Sequence, residues 1–269
     1  MIEEILNFDR RLRIDYKNLN KNYVINKELY SVIDNFILEY ARYYNLKVED
    51  IVSHYNSFLH RYTSNIRDFI RTGKYPNQLG IFPKLDRIEY DISLILSPVV
   101  TIPRYRIFDN IYKRFEFFEG NNLVIGIGSG LELKLLEHFK CNCDAYDLNI
   151  SNFVKTKFSK FNLSEEFFTG QKQNYNNIVA IELLEHINKP YDFIRMCYKS
   201  LESNGMLFIT TAKNIPQIDH LYNFKNESEF ESIIREIGFE ISEKDVIPHN
   251  NTFYKKLDAN NVWYSLIKT

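Results

Sequence analysis

Two carboxylates and an imidazole follow directly after an apolar run in the second half of the chain. Residues 178–181 are apolar, and the next segment, ELLEH, brings Glu182, Glu185 and His186 within five residues. Proteins use these side chains for general acid–base chemistry and for binding divalent cations. Acidic residues in the first turn of a helix also stabilise its dipole without any chemistry. The segment therefore predicts either a helix start or a reactive site at the end of a buried strand.

The spacing within ELLEH supports a sharper hypothesis. If a helix begins at Glu182, then Glu185 and His186 lie one turn further on, on the same face. Together with His220, which follows the next predicted strand, they form a candidate site for a divalent cation, magnesium or manganese. Without a metal, His186 is the candidate general base or acceptor-positioning group, with Glu185 beside it, because an imidazole titrates near neutral pH. Both alternatives stay open, as does a purely structural helix start.

The elements that must position these residues alternate between strand and helix. From Asn121 onward the strand-like segments are NLVIGI, CDAYD, EEFF, NIVAIE and GMLFITT, with helical segments in between. FEISEKDVI and VWYSLIK then follow with no helix between them. This order predicts an α/β fold with a Rossmann-like, mostly parallel seven-stranded sheet covered by helices on both faces. The last two strands predict an antiparallel hairpin at one edge.

The first half of the chain has a helical rhythm. Apolar residues step by three and four through residues 29–40 and 51–70, as on one face of a helix. Glycines and prolines interrupt this pattern between residues 73 and 83. We therefore predict two domains, an all-helical lid or acceptor domain at 1–118 and an α/β domain at 119–269.

The first strand of the predicted sheet runs into a glycine-rich turn, VIGIGSGLEL. Gly126, Gly128 and Gly130 allow a tight turn from strand to helix and bring backbone N–H groups close to a ligand. The next strand ends in Asp147, where a carboxylate can accept hydrogen bonds from the ribose of a nucleoside cofactor. Ligands of open α/β sheets bind at the carboxyl ends of the strands, so both features predict a cofactor site there. A tight turn without a ligand and a solvated Asp147 are the plainer alternatives.

The order of these motifs resembles that of the class I S-adenosylmethionine-dependent methyltransferases. The resemblance covers residues 120–269: a GxGxG turn, an acidic strand end, a strand followed by EH, and NGxLxxTT. It implies S-adenosyl-L-methionine as cofactor, with Gly126, Gly128 and Gly130 under its methionine part and Asp147 at its ribose. Leu148 and Gln171 would lie at the adenine, and Glu182 is the last residue of the implied binding set.

Two positions depart from the pattern of that family. Gly126 stands where the family commonly has an acidic residue, and Glu132 stands where it often has a third glycine. A compensating contact to the cofactor carboxylate is predicted from Arg104 or Arg106 in the segment PRYRIF. With His220, ELLEH further resembles the metal-dependent 2′-O-methyltransferases of small-RNA 3′ ends and some metal-binding quinone O-methyltransferases.

The acceptor has to be inferred from the rest of the chain, because the cofactor core says little about it. An aromatic-rich helical half favours a closed pocket for a small molecule. We expect O-methylation in a bacterial biosynthetic pathway, such as natural-product or surface-glycan (capsule) tailoring, on a sugar or phospho-type oxygen. The alternatives are a metal-dependent RNA 2′-O-methyltransferase, an NAD-type dehydrogenase, and a non-catalytic nucleoside-binding or assembly protein. A dehydrogenase would favour a glycine where this chain has the large Leu131.

Composition limits the partners. A net charge of −1 and a pI of about 6.6 give no general attraction to nucleic acid or to an anionic membrane. The longest apolar stretch, ISLILSPVVTI, is too short to span a bilayer. Three cysteines and an N-terminus without the apolar core of a signal peptide favour the cytoplasm as the location. A homodimer is compatible with the sequence.

Overall fold

The computed structural model describes residues 1–80, 86–170, 175–249 and 257–269. These residues form ten α-helices: α1 (Ile2–Phe8), α2 (Arg10–Asn22), α3 (Lys27–Tyr44), α4 (Val48–Thr72), α5 (Arg87–Val100), α6 (Ile102–Tyr112), α7 (Leu131–His138), α8 (Asn152–Lys157), α9 (Pro190–Ser200) and α10 (Glu227–Ile237). They also form seven strands: β1 (Asn122–Ile125), β2 (Cys143–Tyr146), β3 (Asn162–Ser164), β4 (Tyr175–Ala180), β5 (Leu201–Lys213), β6 (Phe239–Pro248) and β7 (Asn260–Lys268). Short 3₁₀ helices lie at Pro76–Leu79, Phe115–Phe118 and Leu184–His186.

The seven strands form one sheet in the order β3-β2-β1-β4-β5-β7-β6. Strands β1 to β5 pair in parallel, whereas β7 is antiparallel to both β5 and β6. The predicted fold class and the antiparallel hairpin at the edge are therefore confirmed. The third strand was misplaced: it covers Asn162–Ser164, and the EEFF segment at 165–168 follows it.

Successive residues of the central strands point to opposite faces of the sheet, and each face has its own core. Val179 of β4 and Phe208 of β5 belong to a core shared with the N-terminal helices. Ile178 and Leu207, their neighbours in the chain, face the second core, which includes Phe193 of α9. Burial on both faces explains why these strands are continuous apolar runs.

The N-terminal helices pack directly on the sheet layer. In α3, Asn26 caps the first turn, since its side chain accepts hydrogen bonds from the N–H groups of Glu28 and Leu29. The apolar face of α3 lies against α8, where the Phe153 ring is 5.6 Å from that of Phe36 and 4.9 Å from that of Tyr40, centroid to centroid. The helical half and the sheet thus share one hydrophobic core. The division at residue 118 remains a prediction.

Across the parts of the chain that the structure describes, no helix is both long enough and apolar enough to cross a membrane.

The shared core makes a prediction about stability. Phe153→Ala should lower the free energy of unfolding by about 3–5 kcal/mol, because it removes a buried ring that several aromatic side chains surround. Urea denaturation measures the change. Phe8→Ala is the control, since Phe8 is 54% exposed and its loss should cost less than about 0.5 kcal/mol. Equal effects of the two substitutions would contradict a core shared between α3 and α8.

Candidate functional site

The carboxyl ends of β1 and β4 bring the glycine turn and ELLEH together. The strands pair in parallel with Val124 opposite Val179, so both chains leave the sheet at the same edge. A Cβ placed on Gly126 would lie 3.1 Å from Cδ1 of Leu183, which shows how closely the two segments approach. The three glycines of the turn all have positive φ angles, +81°, +51° and +89°, which glycine adopts without strain.

Asp147 lies beside the glycine turn, as predicted. Its Oδ2 accepts a hydrogen bond of 3.0 Å from the N–H of Gly128, and its Oδ1 accepts one of 2.9 Å from the N–H of Asn149. Leu148 is 70% exposed, so its side chain is available to pack against a flat ring. Gln171, the other residue predicted to lie at the adenine, is outside the described residues.

The predicted helix start at Glu182 is wrong. Glu182 has a left-handed backbone conformation with φ of +51°, and α9 begins only at Pro190, a residue well suited to the first position of a helix. Residues of β5 and β7 hold Glu182 in place. The N–H of Glu182 donates to the hydroxyl of Thr210 in β5 at 2.7 Å. Its Oε1 accepts hydrogen bonds from Thr210 at 3.2 Å and from the Asn261 amide at 2.7 Å.

This conformation separates Glu182 from the other two residues of ELLEH. Glu182 lies beside Arg104, whose Nη1 is 3.8 Å from Glu182 Oε2. Glu185 and His186 lie in the 3₁₀ helix and face His220 instead. Of the four predicted metal ligands, three come together and Glu182 lies outside that group.

Arg104 is the buried cation of the site. Its side chain is 12% exposed, and its Nε has no hydrogen-bond partner among the described residues. Arg106, the other candidate, forms an ion pair with Asp245 in β6. The structure thus distinguishes the two arginines: Arg104, and not Arg106, contacts Glu182 and acts on Glu132, which lies just after the glycine turn.

Glu132 is a second buried charge at the cofactor end. It is 8% exposed in the first turn of α7. Burial raises the pKa of Glu132 to about 7, against the opposing effect of Arg104 and with smaller contributions from Glu182 and Asp147. Three carboxyl groups therefore lie close enough at this end to affect one another, and Arg104 partly offsets their charge.

Glu185, His186 and His220 form a compact group in which one ligand atom from each residue lies within 4.8 Å of the others. Glu185 is fully buried, and neither of its carboxylate oxygens has a hydrogen-bond partner in the described parts of the chain. Burial, reinforced by the negative charge of Glu182, raises the pKa of Glu185 to about 8. A buried carboxylate without a partner is costly, so a ligand or a proton is needed to complete the group.

The pKa values of the two imidazoles in this group are shifted in opposite directions. Burial disfavours a charged His186, but the nearby carboxylates of Asp219 and Glu185 raise its pKa above the usual value. His186 Nδ1 lies 3.1 Å from the carbonyl oxygen of Asp219. His220 is buried, and burial together with the charge of His186 lowers its pKa to about 3. The ring of His220 is therefore neutral, and its Nδ1 has no hydrogen-bond partner in the described structure.

Tyrosines from the N-terminal helices cover the group. The Tyr75 ring centroid is 6.4 Å from that of His220. Tyr90 of α5 is within electrostatic reach of both ends of the site: burial raises its pKa, the charge of Asp219 adds to this, and Arg104 opposes it. The sequence did not single out Asp219 or Tyr90. The sequence pattern indicates which face of the helix carries Tyr90, but it does not indicate which part of the protein that face packs against.

The match to a protein-family model agrees with this geometry. The model, described as a methyltransferase domain, matches residues 102–244. The chain belongs to this family of methyltransferase domains. The resemblance to class I S-adenosylmethionine-dependent methyltransferases is therefore confirmed, and with it S-adenosylmethionine as the cofactor that the family implies.

Individual relatives are more distant. A ubiquinone biosynthesis O-methyltransferase of Saccharophagus degradans is 28% identical over 119 residues, 37% of this chain and 50% of the relative. A mitochondrial ubiquinone biosynthesis O-methyltransferase of Rattus norvegicus is 30% identical over 126 residues, 46% of this chain and 34% of the relative. The matches thus span no more than half the length of these relatives. A solved SAM-dependent methyltransferase from Archaeoglobus fulgidus matches at a TM-score of 0.47 and 13% identity, over 60% of this chain and 94% of that chain.

The glycine turn provides a matched pair of substitutions. Gly128 and Gly73 both have positive φ, +51° and +67°, so alanine adds about 1 kcal/mol of strain at either position. A Cβ at Gly128 would also lie 3.0 Å from Leu94 Cδ1, whereas nothing lies within 4 Å at Gly73. We expect Gly128→Ala to raise the Kd for S-adenosylhomocysteine about tenfold or more, and Gly73→Ala to leave it unchanged. Calorimetric titration measures both, and unchanged affinity in Gly128→Ala would contradict a cofactor site at this turn.

Proposed function

We propose that the protein transfers the methyl group of S-adenosylmethionine to a hydroxyl oxygen of a small molecule, at an acceptor site formed by Glu185, His186 and His220. The observation that carries this proposal is the buried, unpartnered carboxylate of Glu185 beside two imidazoles, next to the cofactor turn. Native proteins seldom leave such a group incomplete unless a ligand uses it. The names of the two relatives, both O-methyltransferases, support oxygen as the acceptor atom.

The reaction needs alignment and one proton transfer. The acceptor oxygen attacks the methyl carbon, the bond from that carbon to sulfur breaks, and sulfur keeps the electron pair and becomes a neutral thioether. The hydroxyl proton must leave, and His186 is placed to accept it, because Asp219 stabilises the resulting imidazolium. Arg104 and the glycine turn would bind the methionine part of the cofactor and so limit its motion relative to the acceptor.

A divalent cation, magnesium or manganese, fits the same group. Glu185 offers a carboxylate whose oxygens are not otherwise bonded within the described chain, and His220 offers a neutral imidazole nitrogen. A neutral imidazole is the form that binds metals, and Glu185, whose pKa is raised, would release a proton when a cation binds. Such a cation would hold the acceptor oxygen and lower its pKa.

The charges around the site favour a small acceptor over RNA. Glu182 and Asp219 place negative charge beside the site, and a phosphate backbone would be repelled by it. Tyr62 of α4 and Tyr90 of α5 lie within electrostatic reach of Glu182 and Asp219, respectively, and Tyr75 lies beside His220, so aromatic side chains near the site suit a compact organic molecule. The relatives are named for a biosynthetic pathway, and this supports a biosynthetic acceptor, such as a natural product or a surface sugar.

Turnover tests the proposal. The purified protein is incubated with methyl-labelled S-adenosylmethionine and a panel of catechols, sugars and amines, and methylated products are identified by mass spectrometry. We expect O-methylation, and we expect His186→Ala to lower kcat about 100-fold or more while the affinity for S-adenosylhomocysteine changes less than twofold. Products methylated on nitrogen only, or a His186→Ala variant with full activity, would refute the acceptor site.

Metal binding is tested separately from turnover. Manganese titrated into the protein and followed by electron paramagnetic resonance should bind to the wild type and not to Glu185→Gln. Glu182→Gln is the matched control, because Glu182 lies in the same segment but outside the ligand group, and it should still bind manganese. If the wild type binds neither manganese nor magnesium, and turnover persists in excess chelator, the cation is excluded and His186 acts as a metal-free base.

A further inference from the structure

We propose that Arg87 is a positioning residue for the cofactor, a role that rests on the proposed function. Arg87 ties the glycine turn to the loop after β2 and so holds Asp147 in the geometry that receives the ribose. Neither motif spacing nor family membership assigns a role to this residue, which belongs to the helical half of the chain.

Arg87 bonds to both cofactor segments with one guanidinium group. Its Nη2 donates to the carbonyl oxygen of Gly128 at 2.7 Å, and its Nη1 donates to that of Asn149 at 2.8 Å. The N–H groups of the same two residues donate to the two oxygens of Asp147. One guanidinium and one carboxylate therefore hold both segments, and they fix the distance between the glycine turn and the Asp147 loop.

The guanidinium is itself held from behind. Arg87 Nε lies 3.0 Å from Oδ1 of Asp91, one turn further along α5, and Asp91 is fully buried. Asp91 Oδ2 accepts a hydrogen bond of 3.1 Å from the hydroxyl of Tyr40 in α3. The orientation of Arg87 is thus set by the packing of two N-terminal helices. Only an arginine can reach two carbonyls and a carboxylate at once, since its donors form a rigid planar fork.

The same face of α5 rests on the glycine turn. Leu94 follows Arg87 by two helical turns, and its Cδ1 would be 3.0 Å from a Cβ on Gly128. The helical layer therefore contacts the cofactor loops at two points. If Arg87 served only to join the helical layer to the sheet, it would need no contact with the carbonyl groups of Gly128 and Asn149, which lie next to Asp147.

The experiment compares the two halves of the cofactor. We expect Arg87→Lys to raise the Kd for S-adenosylhomocysteine and for adenosine about tenfold each, because lysine cannot hold both loops and the ribose carboxylate shifts. Arg104→Lys should weaken S-adenosylhomocysteine but leave adenosine binding unchanged, because Arg104 faces the methionine end. Calorimetric titration measures the Kd for S-adenosylhomocysteine, and a competition titration measures the Kd for adenosine.

Arg114→Lys is the matched control for a structural tether. Arg114 also joins the helical layer to the sheet, through Glu243 in β6 and the carbonyl of Asn110, and these partners belong to neither cofactor loop. We expect Arg114→Lys to leave the affinities for S-adenosylhomocysteine and adenosine within twofold of the wild type, and the melting temperatures of Arg87→Lys and Arg114→Lys are recorded alongside.

A double-mutant cycle completes the test. If Arg87 acts through Asp147, Arg87→Lys should have little further effect in an Asp147→Asn background, and the two changes should fail to add. Additive effects, or an Arg87→Lys variant that binds adenosine like the wild type, would overturn the role of Arg87. No binding of S-adenosylhomocysteine to well-folded wild-type protein would instead refute the proposed function, so the two failures are distinguishable.

Discussion

The parallel pairing of β1 with β4 is the constraint on which the site depends. The strand order reverses at this pair, with β2 and β3 on one side and β5 on the other, and a crevice opens where the connections diverge. Because Val124 is opposite Val179, the glycine turn and ELLEH leave the sheet side by side. The close approach of Leu183 to Gly126 follows from this register. A shift of the register by one residue would turn the side chains of β4 to the opposite face of the sheet and displace the ELLEH segment that follows it.

The fold was predictable from the sequence because its strands are buried on both faces. Such strands must be continuous apolar runs, and their alternation with amphipathic helices leaves few architectures. The glycine turn and Asp147 were predictable for a related reason, since each directly follows a strand and the strand fixes its direction. The third strand was misplaced because only three residues, Asn162–Ser164, pair with its neighbour, and so short a run has little pattern of its own.

The details of the site depended on residues far away in the chain. The pattern of Glu182, Glu185 and His186 is compatible with an α-helix, and the contacts that prevent one come from Thr210 and Asn261. The choice between Arg104 and Arg106 is likewise decided elsewhere, because Asp245 in β6 pairs with Arg106. Local periodicity contains no information about such contacts.

The charges at the cofactor end connect the binding of the donor to the release of the product. Four carboxyl groups, those of Asp91, Glu132, Asp147 and Glu182, lie at this end with two guanidinium groups, those of Arg87 and Arg104, so acidic groups outnumber cations in a region of low exposure, where Coulomb interactions are strong. S-adenosylmethionine brings an ammonium and a sulfonium against a single carboxylate, and it therefore reduces this imbalance. Under the proposed function, transfer of the methyl group removes the sulfonium charge, and the attraction of the carboxylates for the cofactor weakens at that moment. The same side chains that favour the donor thus favour its exchange after the reaction.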